Sequence, residues 1–240
     1  MKHQKLLSYV RQAVDDYNMI EDGDRIAVGV SGGKDSLALL LALHGLQRFY
    51  PKKFELVAIT VSLGLPGATY DGVRALCEDI GVPYYVVDTE IGQIIFYERK
   101  EKNPCSLCAK MRKGALNDKA EELGCNKIAL GHNKDDVIET FFMSLFYEGR
   151  INTFSPVSFL DRKRLYSIRP LMYVSEGQAK SYIVNSGIDI VKNPCLVDGE
   201  TKRQETKLFI KELSKKYDNI EEKVFGAIQR SNLSGWSKER

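Results

Sequence analysis

Long apolar runs are missing from this sequence. No stretch reaches the length of a membrane span, and residues 1–11 are polar rather than signal-like. That excludes a membrane protein on this reading and sets a cytoplasmic location as the expectation. An excess of one sign of charge is missing too. Lys and Arg number 35 against 32 Asp and Glu, a net charge of +3. Overall electrostatics therefore does not demand a nucleic-acid partner, and only local basic clusters could supply one. Cysteine is sparse and odd in number, five in 240 residues. Without a secretory signal, that argues against a disulfide framework and makes the spacing of the cysteines the informative quantity. No internal repeat or low-complexity segment interrupts the chain. Its 43% hydrophobic content suffices for one full core, as one domain or as one domain with an appendage.

A Walker A loop is missing as well. That motif needs Gly, four residues, then Gly-Lys-Ser/Thr, whereas here the residue five before Gly33 is Val28 and Asp35 follows Lys34. What stands in its place is Ser31, Gly32, Gly33, Lys34, Asp35 and Ser36, between an aliphatic run at 25–30 and a leucine-rich run at 37–43. The first run suits a buried parallel strand and the second a helix. A strand, a Gly-Gly turn and a helix start make an anion site. The glycines let the backbone approach closely, the first-turn N–H groups lack intrahelical partners, and the helix dipole favours negative charge. The pattern Ser-Gly-Gly-x-Asp-Ser resembles the PP-loop of ATP pyrophosphatases, which release pyrophosphate and leave AMP on a substrate oxygen.

Around this loop the chain alternates strands and helices. Leu6, Leu7, Val10, Val14 and Tyr17 share one face of an amphipathic helix over residues 3–20. Strands are predicted at 25–30, 54–62, 84–87 and 127–130, and helices at 71–80, 109–123 and 135–147. Residues 91–97 suit helix or strand equally, and 149–166 read as an irregular polar stretch before a short strand at 165–168. Ser175 caps a helix to about residue 186, residues 188–191 are extended, and 201–233 are helical. Phe141, Phe142, Leu145 and Phe146 supply the buried side of the 135–147 helix. The alternation predicts an α/β fold with a parallel sheet covered on both faces. Residues 31–36 and 131–136 both follow strands directly, so they should face one crevice at the carboxyl ends of those strands.

The cysteines divide by context. Cys105 and Cys108 form a CxxC in a loop after Asn103 and Pro104, just ahead of a helix. Two thiolates so spaced can ligate one metal or cluster, and a helix N-terminus lowers their pKa. A CxxC alone is also compatible with a zinc ribbon or a redox dithiol, although the two further ligands of a ribbon are not nearby. Cys195 is the remote candidate, since it too follows Asn-Pro. Cys77 and Cys125 fall in or beside helical segments, as buried small side chains do.

Taken together, residues 31–36, the CxxC at Cys105 and Cys108 followed by Arg112, the run Gly131, His132, Asn133, Lys134, Asp135, Asp136, and the late Cys195 resemble the TtcA family. These are tRNA 2-thiocytidine synthetases, related to the TtuA tRNA thiolases, and the likeness spans about residues 18–236. It implies an adenine nucleotide α-hydrolase-like, Rossmann-like PP-loop domain over residues 25–192, preceded by a helix and turn at 1–24. An α-helical extension at 193–240 would then carry the third cysteine. It also implies ATP, Mg²⁺ and a [4Fe-4S] cluster held by Cys105, Cys108 and Cys195, one iron being left open to carry sulfur. Members of the family have a second late cysteine where this chain has Asp198. That leaves Cys195 as the late thiolate and Asp198 as a further candidate ligand. The terminal zinc-binding cysteine clusters of TtuA are not present, which places the chain on the TtcA side.

The reaction implied is adenylation of O2 of a tRNA pyrimidine, most simply cytidine, followed by replacement of that oxygen with sulfur. The backbone N–H groups of residues 31–36 and Lys34 would stabilise the leaving pyrophosphate. Asp35 or Asp136 would lie near Mg²⁺. Asp136 and Arg112 match catalytic positions of relatives, while Asp135 and Asp136 are also suited simply to stabilise a helix N-terminus. Gly131 and His132 belong to the nucleotide site, His132 as a phosphate donor or as an ordinary loop residue.

For tRNA, the nearest basic groups are Arg99, Lys100, Lys102, Lys110, Arg112 and Lys113, then Arg162, Lys163 and Arg164. A later set at Lys202, Arg203, Lys207, Lys211, Lys215 and Lys216 is at least as consistent with a solvated helix face. A cysteine desulfurase or sulfide would supply the sulfur, and the resemblance implies a homodimer. Three rivals remain: a cluster-free thiolase using Cys108 and Cys195 as persulfide and attacking thiol, a PP-loop ligase, and a nucleotide-binding sulfur carrier without turnover.

Overall fold

In the computed structural model, residues 1–99, 104–188 and 201–237 are described; Cys195 and Asp198, and Lys100 and Lys102, lie outside them. The first strand explains the rest of the architecture. In β1 (Asp24–Gly29), Ile26 and Val28 enter one core while Ala27 enters another, the period-2 pattern of a strand buried on both faces. β2 (Phe54–Val61) divides in the same way, with Leu56 and Ala58 on one side and Val57 and Ile59 on the other. With β3 (Tyr84–Val87), β4 (Lys127–Ala129), β5 (Val157–Leu160) and β6 (Leu165–Ile168), these strands form a sheet of order β3-β2-β1-β4-β6-β5 among the described residues. All pairings are parallel except that of β5 with β6. The chain runs outward from β1 through β2 to β3 and then returns to place β4 on the other side of β1. The β1/β4 boundary is therefore a topological switch point, where the loops leaving the two strands part and open a crevice.

One face of the sheet carries the main core. It is built by α1 (His3–Asp16), α2 (Lys34–Gln47), α3 (Asp71–Asp79), α5 (Lys134–Glu148) and α6 (Glu176–Asn185). The other face is covered by α4 (Pro104–Glu122), through Leu116 and Ala120. A π-helix at Gln93–Glu98 and the loop around Leu63 and Leu65 make a small third core, on which Leu107, Cys108 and Met111 pack. That resolves the ambiguous segment as helical, with Ile91 and Ile95 one turn apart and both buried.

Three boundaries differ from expectation. α4 begins at Pro104, so both CxxC cysteines lie in its first turn rather than in a preceding loop; proline suits that position because its missing N–H would be unpaired there anyway. The stretch 149–166 contains β5, which pairs with β6 as a hairpin at the sheet edge. Its central Ser158 and Phe159 give only weak alternation, and pairing supplies what the pattern lacks. The C-terminal helical region is two helices, α7 (Lys202–Lys216) and α8 (Ile220–Arg230), broken at Asn219 in the left-handed region with φ 55°. The aromatic face of α5 is also less buried than expected. Phe141 and Phe142 pack on the core, but Leu145 and Phe146 are exposed; Phe142 stacks on Phe146 at 5.5 Å, and from α7 Phe209 meets it edge-on at 5.3 Å.

α7 and α8 both pack on α5. Their far end is anchored by Trp236, which is fully buried and meets Tyr17 and Phe225 edge-on at 6.1 and 5.9 Å. Trp236→Ala should cost about 3–5 kcal/mol of unfolding free energy, measured by urea titration.

Candidate functional site at the PP-loop crevice

The loop after β1 is held by its own serines. Ser31 N–H donates to Ser36 Oγ at 3.1 Å, the two hydroxyls lie 3.1 Å apart, and Ser36 Oγ donates to the Gly33 carbonyl at 2.9 Å. Gly32 has φ 79°, a left-handed turn that glycine adopts without strain. The N-cap of α2 is Gly33, which has no side chain to cap the first turn. The N–H groups at that helix start therefore face the crevice.

The second loop locks onto the first. A Cβ on Gly131 would stand 3.2 Å from backbone atoms of both Asp35 and Ser36, so this crossing is tight and a side chain here would push the two backbones apart by a few tenths of an ångström. Asn133 is buried and caps α5 in a reciprocal box with Asp136. Asp136 N–H donates to Asn133 Oδ1 at 3.1 Å, and Asn133 N–H donates to Asp136 Oδ2 at 3.0 Å. The Asn133 amide also donates to Asp35 Oδ1 at 3.2 Å, tying the two motifs together. Asp135 accepts the Glu176 N–H at 2.7 Å, orienting the start of α6. Both carboxylates thus also serve their helix ends.

Two cavities flank the loop. The first, of about 320 Å³, has an apolar floor that includes Ile59, Ile128 and Leu130, and polar walls at Ser31, Arg112 and His132. The second, of about 280 Å³, is lined by Lys34, Asp35, Asp136, Glu139, Glu176 and Arg203. The expected site residues are therefore divided. Ser31, Arg112 and His132 share the first space, and Lys34, Asp35 and Asp136 share the second.

Lys34 Nζ reaches Asp35 at 3.0 Å and Glu176 at 2.9 Å. Burial pulls its pKa down, but hydrogen bonds to Glu176 and Asp35 outweigh that, and the net shift is upward. Burial raises Asp136, opposed by the Asn133 N–H and by Arg203, and burial likewise raises Glu139. His132 is driven down to about 3, by burial first and then by Arg169, Arg203 and Lys113. It is therefore a neutral imidazole at physiological pH, which removes the cationic form of the phosphate-donor reading. Its Nδ1 has no hydrogen-bond partner among the described residues.

Cys105 is exposed and Cys108 half-buried in the first turn of α4. Residues 105, 108 and 112 follow i, i+3, i+7 spacing, so Arg112 is one helical turn, about 6 Å along the axis, beyond Cys108. Cys77 and Cys125 are buried, and burial pushes the Cys77 thiol up to about 11. Soft thiolates on one face of a helix N-terminus suit an iron–sulfur cluster. Among the described residues no set of three donors is arranged for a metal, the third cysteine lying outside them.

Sequence reasoning missed Asn133, Glu139 and Glu176, and misplaced Arg203 and Lys207. The Asn133–Asp136 capping spacing was a readable signal; for the others no local signal exists. Arg203 donates to Glu139 at 2.9 Å, Asp136 at 3.3 Å and Thr140 at 3.2 Å, and Lys207 pairs with Glu176. These two side chains line the crevice while remaining partly open to solvent. Lys163 is held by Asp118 and Glu121 just before β6, at the opposite end of the parallel strands from the PP-loop.

A parallel sheet with a glycine-rich loop at its switch point, Lys34 and Asp35 opening α2, defines a PP-loop nucleotide-binding protein. A family model described as the PP-loop domain matches residues 3–210. A tRNA-cytidine(32) 2-sulfurtransferase of Pelobacter propionicus is 40% identical over 94% of this chain and 85% of its own. The protein of that name from Geobacter sulfurreducens is 36% identical over 95% and 90%. The chain belongs to the TtcA family of tRNA-cytidine 2-sulfurtransferases. Its fold also matches the U34-tRNA thiolase NcsA of Methanococcus maripaludis, a structure with its [4Fe-4S] cluster. The TM-score is 0.76 at 25% identity, covering 93% of this chain and 76% of that one. The expected fold class and family resemblance are borne out.

The depressed His132 pKa carries a sign. The unfolded chain takes up a proton at this residue as pH falls below about 6.5, whereas the folded protein does so only near 3, so its contribution to stability is intact above 6.5 and is lost between those values. His132→Gln should flatten the acid side of the stability profile, as a smaller fall in urea midpoint between pH 6.5 and 4.

Proposed function

We propose that this protein is an ATP-dependent tRNA sulfurtransferase that replaces the C2 oxygen of a tRNA cytidine with sulfur, at position 32 as the relatives' names state. The observation that supports this most is the stripe on α4. It sets the CxxC one turn from Arg112, on the wall of the cavity that opens at the PP-loop. Arg112 lines that cavity, and Cys105 and Cys108 lie just outside its lining.

ATP lies across the loop, its adenosine over the apolar floor of the first cavity and its β- and γ-phosphates toward Lys34 in the second. The cytidine O2 attacks the α-phosphorus, the bond from that phosphorus to the bridging oxygen breaks, and pyrophosphate leaves with the electron pair. Lys34 and the N–H groups of residues 33–36 stabilise that charge. Asp35 or Asp136 would hold Mg²⁺, which when bound would neutralise charge on the phosphates. The placement of Asp136 on the phosphate side favours this role for it over proton transfer at the base. Arg112 neutralises the α-phosphate and the oxygen being adenylated. Hydrosulfide then adds at C2, and the C2–O bond breaks with release of AMP and a proton; a cysteine desulfurase would serve as the source once a thiol reductant has supplied the two electrons that reduce its persulfide sulfur to that level. Cys105, Cys108 and Cys195 would hold a [4Fe-4S] cluster, which when bound supplies an iron site with affinity for that sulfur. Gly131 keeps the two loops in contact, and His132 walls the first cavity as a neutral group.

The tRNA partner approaches over the basic start of α4, at Lys110, Arg112 and Lys113, with the target base unstacked. No helix among the described residues is long and apolar enough to cross a membrane, and we place the protein in the cytoplasm as a homodimer.

Purified without oxygen, the protein should be brown, with broad visible absorbance that bleaches in air. Lys34→Ala should abolish pyrophosphate release and keep the colour. Cys105→Ala should lose colour and tRNA thiolation and keep ATP binding, and Cys77→Ala should change none of these. A colourless anaerobic protein with full thiolation activity would refute the cluster assignment.

A further inference from the structure

The second cavity is built for more than Lys34. Five carboxylates line it, those of Asp35, Asp135, Asp136, Glu139 and Glu176. A pyrophosphate group would be repelled there unless cations accompanied it. Lys34 is the only cation that the PP-loop itself contributes to that lining, and two more, Arg203 and Lys207, come from α7.

α7 has its own reasons to pack: Thr206 and Ile210 are buried beneath it, and Phe209 meets Phe142 and Phe146. Arg203 and Lys207 lie on the same face of that helix, four residues apart, and both point at carboxylates inside the crevice. Glu139 and Asp136 each accept from Arg203 Nη1, while Glu176 accepts from Lys34 and Lys207 together. The arginine fork that grips a carboxylate through two N–H groups can grip two phosphate oxygens in the same way, and lysine ammoniums, as point charges, attract either anion. Burial already disfavours the charged form of Glu139 and Asp136, so these contacts are ones that a stronger anion can displace.

Resting on the PP-loop reading above, we propose that Arg203 and Lys207 form the α7 half of the pyrophosphate site. The β- and γ-phosphates of ATP, and then free pyrophosphate, take over the bonds that Glu139 and Glu176 accept in the structure. Lys34 makes the same exchange, leaving Glu176 for phosphate. Residues 201–216 thus close the phosphate end of the nucleotide site, and their basic face serves ATP rather than RNA.

The test is calorimetric binding of inorganic pyrophosphate with Mg²⁺, and separately of AMP, to the whole protein. Arg203→Gln and Lys207→Gln should each weaken pyrophosphate about tenfold, as loss of a charge-assisted hydrogen bond does, and leave AMP within about twofold. Glu176→Gln removes the competing carboxylate and should tighten pyrophosphate severalfold. Equal loss of both ligands in the α7 variants, no loss of either, or weaker pyrophosphate binding in Glu176→Gln would each overturn the proposal. Should Arg203→Gln fail to fold, Arg203→Lys keeps the charge and loses the fork; weaker pyrophosphate with unchanged AMP supports the assignment, and unchanged pyrophosphate overturns it. Lys34→Ala separates the two levels of argument. If it binds pyrophosphate as well as the wild type does, the PP-loop reading itself fails. If Lys34→Ala is impaired and the α7 variants are not, only the α7 assignment fails.

Discussion

The contact between Gly131 and the start of α2 is the constraint on which the site depends. β1 and β4 are neighbours in the sheet, with Ile26 opposite Lys127 and Val28 opposite Ala129. The chain leaves both at the same end and must then part toward different helices. At that parting the backbones of Gly131 and of Asp35 and Ser36 come so close that a Cβ at Gly131 would stand 3.2 Å from both. Asn133 turns this proximity into a connection, because one amide group both caps α5 and holds Asp35. The nucleotide loop and the second motif are therefore one rigid unit, and the two cavities on either side of it keep a fixed relation.

Charge extends that unit outward. Lys34 and Glu176 join α2 to α6, Lys207 joins α7 to the same glutamate, and Arg203 joins α7 to α5. Lys34, Glu176 and Arg203 are partly buried and each bonded to more than one partner, so their contacts weigh more than isolated surface pairs do. The arrangement gives α7 and α8 a task beyond burying α5. Trp236 secures their far end, and the ion pairs at their near end face the reaction space. On the opposite face of the sheet, α4 combines Cys105, Cys108 and Arg112, across the loop from the cavity lined by Lys34 and Asp136.

Much of this was legible before any coordinates. The PP-loop, the parallel strands and the shared crevice follow from local pattern, because Gly32, Gly33 and the aliphatic runs have few other uses in combination. The burial of Cys77 and Cys125 followed in the same way from their helical context. Other features were not legible because they have no local cause. The strand β5 exists through its pairing with β6, and its own four residues barely alternate. The aromatic face of α5 is half exposed because what covers it comes from α7, far along the chain, and reaches only part of it. Arg203 and Lys207 look like a solvated basic stripe until α7 is docked on α5.

By itself the sequence determined the chemistry that is available: an anion-binding turn at residues 31–36, thiols at Cys105, Cys108 and Cys195, and a family likeness over nearly the whole chain. Those are properties of residue type and short spacing, which covalent order carries directly. Only the tertiary structure decided how that chemistry is partitioned. It put Arg112 and His132 in the cavity with the apolar floor and Asp136 in the carboxylate-lined one. It made His132 neutral by enclosing it, and it turned two surface-looking cations of α7 into the crevice. Such outcomes depend on burial and on partners dozens of residues away. The same PP-loop that reads in the sequence as a generic phosphate cradle is, in the folded protein, one wall shared by two differently charged cavities.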